Sequence, residues 1–288
     1  MPRDDLSFGA RFLRAAAEKR GWSVTLHPDG AFAGEIRLSD GASRFFYRST
    51  YDINSAGAML VARDKSLTKF FLARRGYPVL PGHTIFSRDE VPELAYPVMV
   101  KANAEAAGAG IERVDSASEL DAALERAFAF GKIVLIEQYV ANARDYRLLV
   151  LDGELLLAYE RIPYTIIGDG RSTIRELARE DSRLRGRDWN DVLRDGESLR
   201  MLDVANLSRG GSAVEITPPA ELAQLAIDAA RDMNLRFCGV DLLINDDAHW
   251  ILELNASPTI HHFATLCKLS EERLASIFER ILLAMVRA

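Results

Sequence analysis

A chain of 288 residues, 48% hydrophobic and 27% charged, has the make-up of a globular protein large enough for two or three lobes, which excludes a disordered or fibrous chain. A net charge of −6 argues against a broad nucleic-acid surface, and two cysteines, Cys238 and Cys267, are too few for a disulfide scaffold. No apolar run nears the roughly 18 residues of a membrane span, and Met1 to Asp5 lacks the basic-then-apolar layout of a signal peptide, so a cytoplasmic protein with reduced thiols is expected.

In chain order, apolar residues at helical spacing predict a helix over 7–20, and β-favouring runs predict strands at 22–26 and 32–38. The turn Ser39-Asp40-Gly41 leads into a return strand at 44–47. Helices follow at 55–63 and 66–75, the second ended by Gly76 and Pro78. A buried strand at 96–101, a loop rich in Ala and Gly, and a strand at 111–114 come next. Ser116 with Glu119 reads as a capping box for a helix through Phe130, followed by a strand at 133–138. Asp152-Gly153 centres a hairpin of 146–151 and 154–162, and a helix is expected over 173–183. Residues 185–206 carry many charges and no clear period, and read as a loop over a site or a surface excursion. Pro218-Pro219 opens a helix over 220–233, and Ser270 caps a last helix to about Val286.

The most informative stretch lies near the C-terminus. Val240 to Ile244 and Trp250 to Leu254 are apolar runs separated by the turn material Asn245-Asp246-Asp247. A hairpin centred near Asp247 sets Asp241 opposite Glu253. Alternation then puts Glu253 and Asn255 on one face and Leu252 and Leu254 on the other. Two carboxylates and an amide oxygen converge there with no base beside them, a donor set that suits Mg²⁺. A hairpin whose acids simply face solvent satisfies the same pattern.

Four other places carry chemistry. Lys101 ends a strand ahead of small residues that let a backbone approach phosphates, though a strand-turn-strand with a snorkelling lysine reads the same way. Glu137 and the backbone of Val140 are spaced to offer adenine one acceptor and one donor. Asp145 and Arg147 share a strand face and Arg161 closes the partner strand, giving either a guanidinium pair for carboxylate or phosphate, or a cross-strand ion pair. Asn206 to Gly211 offers an amide, a guanidinium (Arg209) and two glycines, as an anion loop or a turn.

Taken in order, Asp64-Lys65, Pro97 to Lys101, the small-residue loop, Glu137 to Val140, Asp145 to Val150, Ile167 to Leu177, Val204 to Gly211, Cys238 to Leu242 and Glu253 to Pro258 resemble the ATP-grasp ligase superfamily. The likeness is greatest to the ATP-grasp portion of cyanophycin synthetases and of bifunctional glutathione synthetases, and it covers roughly 54–262. It implies an α+β fold with a nucleotide held between two lobes behind a small N-terminal α/β domain: 1–62, a lid lobe at 63–140 and a metal-bearing lobe at 141–288. It implies an ADP-forming carbon–nitrogen ligase that joins amino acids or short peptides through an acyl phosphate, with ATP and two Mg²⁺ ions (Mn²⁺ able to substitute). Small-molecule carboxylate and amine substrates are implied, with no nucleic acid, no membrane, and a homodimer left open. A nucleotide-binding regulatory or partner subunit without ligase activity is the alternative.

By the same resemblance, Lys65 and Lys101 hold phosphates and Gly108 and Gly110 lie in the lid loop. Glu137, Gln138 and Val140 bind adenine, Asp145 the ribose, and Asn206 belongs to the nucleotide set. Asp241, Glu253 and Asn255 hold the metals. Arg147 faces the acceptor's carboxylate, while Arg161 and Arg209 stabilise the acyl phosphate. The chain departs from the pattern in a lid loop with fewer glycines and in Thr259, where a glycine often follows the proline.

Overall fold

The computed structural model describes residues 7–28, 32–103, 110–179, 182, 184, 186–202, 205 and 210–287. Helix α1 (Phe8–Glu18) precedes the short strands β1 (Ser23–Leu26), β2 (Ala33–Arg37), β3 (Ser43–Tyr47) and β4 (Thr50–Tyr51). Helices α2 (Ala56–Arg63) and α3 (Lys65–Arg74) lead to β5 (Gly82–Ile85), β6 (Val98–Ala102), β7 (Ile111–Val114), α4 (Ala117–Phe128) and β8 (Val134–Gln138). Next come β9 (Arg144–Leu151), β10 (Glu154–Ile162), β11 (Thr165–Ile167), α5 (Ile174–Leu177) and β12 (Ser198–Arg200). The chain finishes with β13 (Ser212–Glu215), α6 (Ala220–Asp232), β14 (Phe237–Ile244), β15 (His249–Asn255), α7 (His261–Leu266) and α8 (Glu271–Val286).

A five-stranded antiparallel sheet, in the order β13-β10-β9-β14-β15, is the centre of the molecule. Its inner strands are apolar on both faces because both faces are covered. Tyr146, Leu148, Val150, Cys238, Val240 and Leu242 enter a core with α6 and residues of α2 and α3. Their alternates Leu149, Leu151 and Phe237 enter a second core with α1, α7, α8 and the sheet β1-β2-β3-β4. The N-terminal elements therefore share a core with the C-terminal helices. Both cysteines are free, Cys238 fully buried.

A second antiparallel sheet, β5-β8-β6-β7, packs against α4 over a core of its own. Strand β5 was not foreseen from the sequence; it pairs with β8, and Gly82 stands opposite Glu137 where a Cβ would strike the Ile136 carbonyl. The two sheets are linked through α3 and through a parallel bridge between Val79 and Ile251.

Several local expectations need correction. The Ser116 hydroxyl meets Ser118 instead of capping α4, and Glu119 accepts from the backbone of Asp115, one residue earlier than a capping box requires. The box occurs instead at Thr173 and Glu176, and the helix it starts lasts one turn, not to residue 183. A bulge between Asp241 and Leu242 makes Ile251, not Leu252, the partner of Leu254 in the core. The stretch expected as a loop at 185–206 contributes β12 to a small module with β11 and α5, whose core is Ile166, Ile174, Leu193 and Met201.

Candidate functional site

The site begins with strand register. Tyr159, Arg147, Asp241 and Glu253 lie directly opposite one another across β10, β9, β14 and β15. One step further along, Arg161 faces Asp145 across the β9–β10 hairpin. Alternation places Arg147 and Asp241 on the side that carries Leu149, Leu151 and Phe237 further along the same strands, so the site continues one face of the sheet beyond its apolar core.

Asp241 is 1% exposed and is gripped from two sides. Arg147 donates Nε and Nη2 to its two oxygens at 2.5 Å each, and Arg161 Nη2 donates to Oδ2 at 2.8 Å. Arg161 also donates to Asp145 at 2.6 Å. Burial pushes Asp241 upward, but the two guanidinium groups outweigh it and hold the carboxyl down at about 2. Asp145 moves the other way: burial, helped by the charge of Asp241, outweighs Arg161 and raises it. Glu253 is less committed, at 3.6 Å from both Arg147 Nη2 and Lys65 Nζ, and the Asn255 side-chain oxygen accepts from Ser257 N at 3.1 Å. Arg147 also meets the Tyr159 side chain opposite it, while among the described residues Arg161 Nη1 has no partner.

Helix α3 supplies the link to the second sheet. Asp64 caps it by accepting from Leu67 N, and Asn103 accepts from Ser66 N, which fixes the first turn against β6. Lys65 and Lys69, four residues apart, then fall on one face. Lys65 reaches Asn103 O and Glu253. Lys69 reaches Glu137 Oε1 at 2.7 Å, and Lys101 from β6 reaches Glu137 Oε2 at 2.5 Å. Burial pushes Glu137 upward, but Lys101 and then Lys69 outweigh it and keep it below its ordinary value. Lys69 was absent from the sequence reading; its only signal was its spacing from Lys65.

The other expected residues divide. Gln138 is exposed, and its N–H bonds Pro81 O. No acceptor for the Val140 N–H is present among the described residues. Gly110 has a positive φ of 65°, and a Cβ there would come within 2.9 Å of Ala102 and Phe130, so packing and backbone shape account for it. Gly108, Asn206 and Arg209 lie outside the described residues. The His261 ring lies tilted against Phe8, with centroids 4.8 Å apart.

Beside Arg161 opens a recess of about 320 Å³, lined among others by Asn142, Arg144, Glu160, Pro163 and Arg200. Arg144 is bound bidentately to Glu160. Arg200 has no carboxylate partner among the described residues. No group of three or more His, Cys, Asp or Glu able to hold a metal occurs among the described residues. Asp241, Glu253 and Asn255 bring two carboxylates and an amide, hard oxygen donors that fit Mg²⁺. No helix among the described residues is long and apolar enough to cross a membrane.

A central sheet with paired carboxylates, lysines of α3 against it and Lys101 on the second sheet fit an ATP-grasp protein, and the chain belongs to that superfamily. The RimK-like ATP-grasp domain matches residues 196–276, and the D-ala D-ala ligase C-terminus matches 74–167. The glutathione biosynthesis bifunctional protein of Streptococcus thermophilus is 30% identical over 70% of this chain and 33% of its own length. Cyanophycin synthetase of Trichormus variabilis is 32% identical over 69% of the chain and 26% of its own. The chain thus spans a third or less of the length of these relatives. The fold matches the bifunctional glutathione synthetase of Pasteurella multocida with a TM-score of 0.61 at 20% identity, over 97% of this chain and 44% of that one. It matches D-alanine–D-alanine ligase of Bacillus anthracis with a TM-score of 0.58 at 16% identity, over 81% and 70% of the two chains.

Proposed function

We propose that the chain is an ATP-dependent carboxylate–amine ligase acting on amino acids or short peptides through an acyl phosphate, releasing ADP and phosphate. The observation that carries this reading is the row Arg147–Asp241–Glu253, joined through Lys65 to the lysines of the other lobe. Asp241, Glu253 and Asn255 are the residues to hold two Mg²⁺ ions, with Mn²⁺ as a substitute. Bound there, such ions would neutralise phosphate charge and orient the transferring group.

The chain's own residues then have distinct tasks in this proposal. Lys65 and Lys101 hold phosphates, and Asp145 the ribose. The Val140 N–H and Glu137 take the adenine, beside Gln138. Arg147, fixed by Asp241, faces the acceptor's carboxylate, and Arg161, fixed by Asp241 and Asp145, offers Nη1 to the oxygens of the acyl phosphate. A donor held in place before charge develops stabilises that charge most. Gly108, Gly110, Asn206 and Arg209 remain assigned to the nucleotide and acyl phosphate by resemblance alone. An acid-bearing substrate enters the recess beside Arg161, where Arg200, without a carboxylate partner among the described residues, faces the substrate's carboxylate.

The division into 1–62, 63–140 and 141–288, cytoplasmic residence and a homodimer belong to the same proposal. Sedimentation reads the last. The reaction is tested by ADP release across pairs of amino acids, with mass spectrometry of the products. Failure of every pair to release ADP above background sinks the ligase reading.

A further inference from the structure

The lysine cluster contains one cation more than the resemblance calls for. We infer that Lys69 is a positioning residue of the nucleotide site, balancing Glu137 so that Lys101 keeps a net positive charge for phosphate; this rests on the nucleotide-binding reading above. Lys101 and Glu137 lie diagonally on β6 and β8, since Met99 is the residue opposite Glu137 and Leu135 the one opposite Lys101. Diagonal neighbours on one sheet face meet whatever else is present. Glu137 is 5% exposed, and burial at such a position requires a partner. Lys101 alone would satisfy it, and the pair would be neutral. A neutral pair offers little to a phosphate.

Lys69 changes that balance. It approaches from α3, a separate element, and binds the Glu137 oxygen that Lys101 leaves, so that each oxygen takes one ammonium. Among the described residues the cluster then carries one net positive charge, with the Lys69 and Lys101 side chains only 18% and 14% exposed. Weak screening makes that single charge count. Because Lys69 and Lys65 share a face of α3, the helix that positions one positions the other.

The probes are ADP and adenosine, with equilibrium affinities measured by calorimetry on the whole chain. The ratio of the two affinities reports the phosphate contribution. Lys69→Met is expected to lower that ratio by roughly tenfold, with Lys69→Arg restoring most of it. The double variant Lys69→Met/Glu137→Gln is also expected to recover the ratio relative to Lys69→Met, because removing the acid returns the charge to Lys101. It further guards against a variant that merely folds poorly. An unchanged ratio in Lys69→Met, or a double variant worse than the single one, overturns the inference. Wild-type protein that does not prefer ADP to adenosine overturns the nucleotide reading beneath it. A lowered ratio in Lys101→Met alone keeps that reading and removes Lys69 from it.

Discussion

Asp241 and Glu137 are both buried carboxylates held between two cations, yet the two clusters differ in chemistry and in net charge. Around Asp241 the cations are guanidinium groups, planar and bidentate, built into neighbouring strands of one sheet. Around Glu137 they are ammonium groups, point charges brought together from a helix and a strand. Asp145 and Glu253 join the first cluster, so two guanidinium groups face three carboxylates and the balance is negative until Lys65 is counted. Among the described residues the second cluster has no further acid and stays positive. The two clusters therefore meet the same face of α3, through Lys65 and Lys69, one without net positive charge and the other positive among the described residues.

The hardest test of this contrast is Asp241→Ala. It leaves two buried guanidinium groups short of their shared acid, and the chain is expected to lose about 3–5 kcal/mol of stability in urea denaturation, along with ADP formation. A loss under about 1 kcal/mol would mean that the arginines are not held as described. Glu253→Ala should separate the two effects. Glu253 is partly exposed and only loosely paired, so stability should change by less than about 1 kcal/mol while ADP formation falls to background. Unchanged turnover would remove Glu253 from the metal set. Lys101→Ala should raise the apparent KM for ATP by roughly tenfold, and normal ATP kinetics would separate Lys101 from the phosphates.

The smallest expected effect is one of pH. Glu137 lies below its ordinary value in the folded chain, so its contribution to stability is complete above its unfolded value of about 4.3 and fades as pH falls through the lower folded value. Asp145, raised by burial, has the opposite sign: its cost grows as pH rises between its unfolded and folded values. Urea midpoints followed from neutral to acid pH should fall less steeply for Glu137→Gln than for the wild type. Parallel curves would show that Glu137 is not held ionised by its lysines.

The legibility of these features in the sequence follows contact distance. The two hairpins were legible from their short turns, but the turns set only the nearest pairs, Ile244 with His249 and Glu154 with Leu151; Asp241 meets Glu253 and Arg161 meets Asp145 after a one-residue shift in each ladder. Neither shift was legible, since an extra residue such as Leu252 is fixed by which neighbours, here Ile251 and Leu254, enter the core and not by the turn. Nor was the module around Ile166 and Met201, whose core joins residues tens of positions apart with no common period. Lys69 escaped for a related reason: a lysine on a helix reads as solvated until the strand it faces is known.

By itself the sequence determined the two hairpins, the expectation that Asp241 faces Glu253, and the order of motifs that resembles an ATP-grasp chain. These follow from backbone geometry and from turns a few residues long. Only the tertiary structure decided which cation holds which carboxylate and what charge each cluster keeps. Those choices depend on how far each group is drawn from water, and α3 and the neighbouring strands set that only once they have packed together.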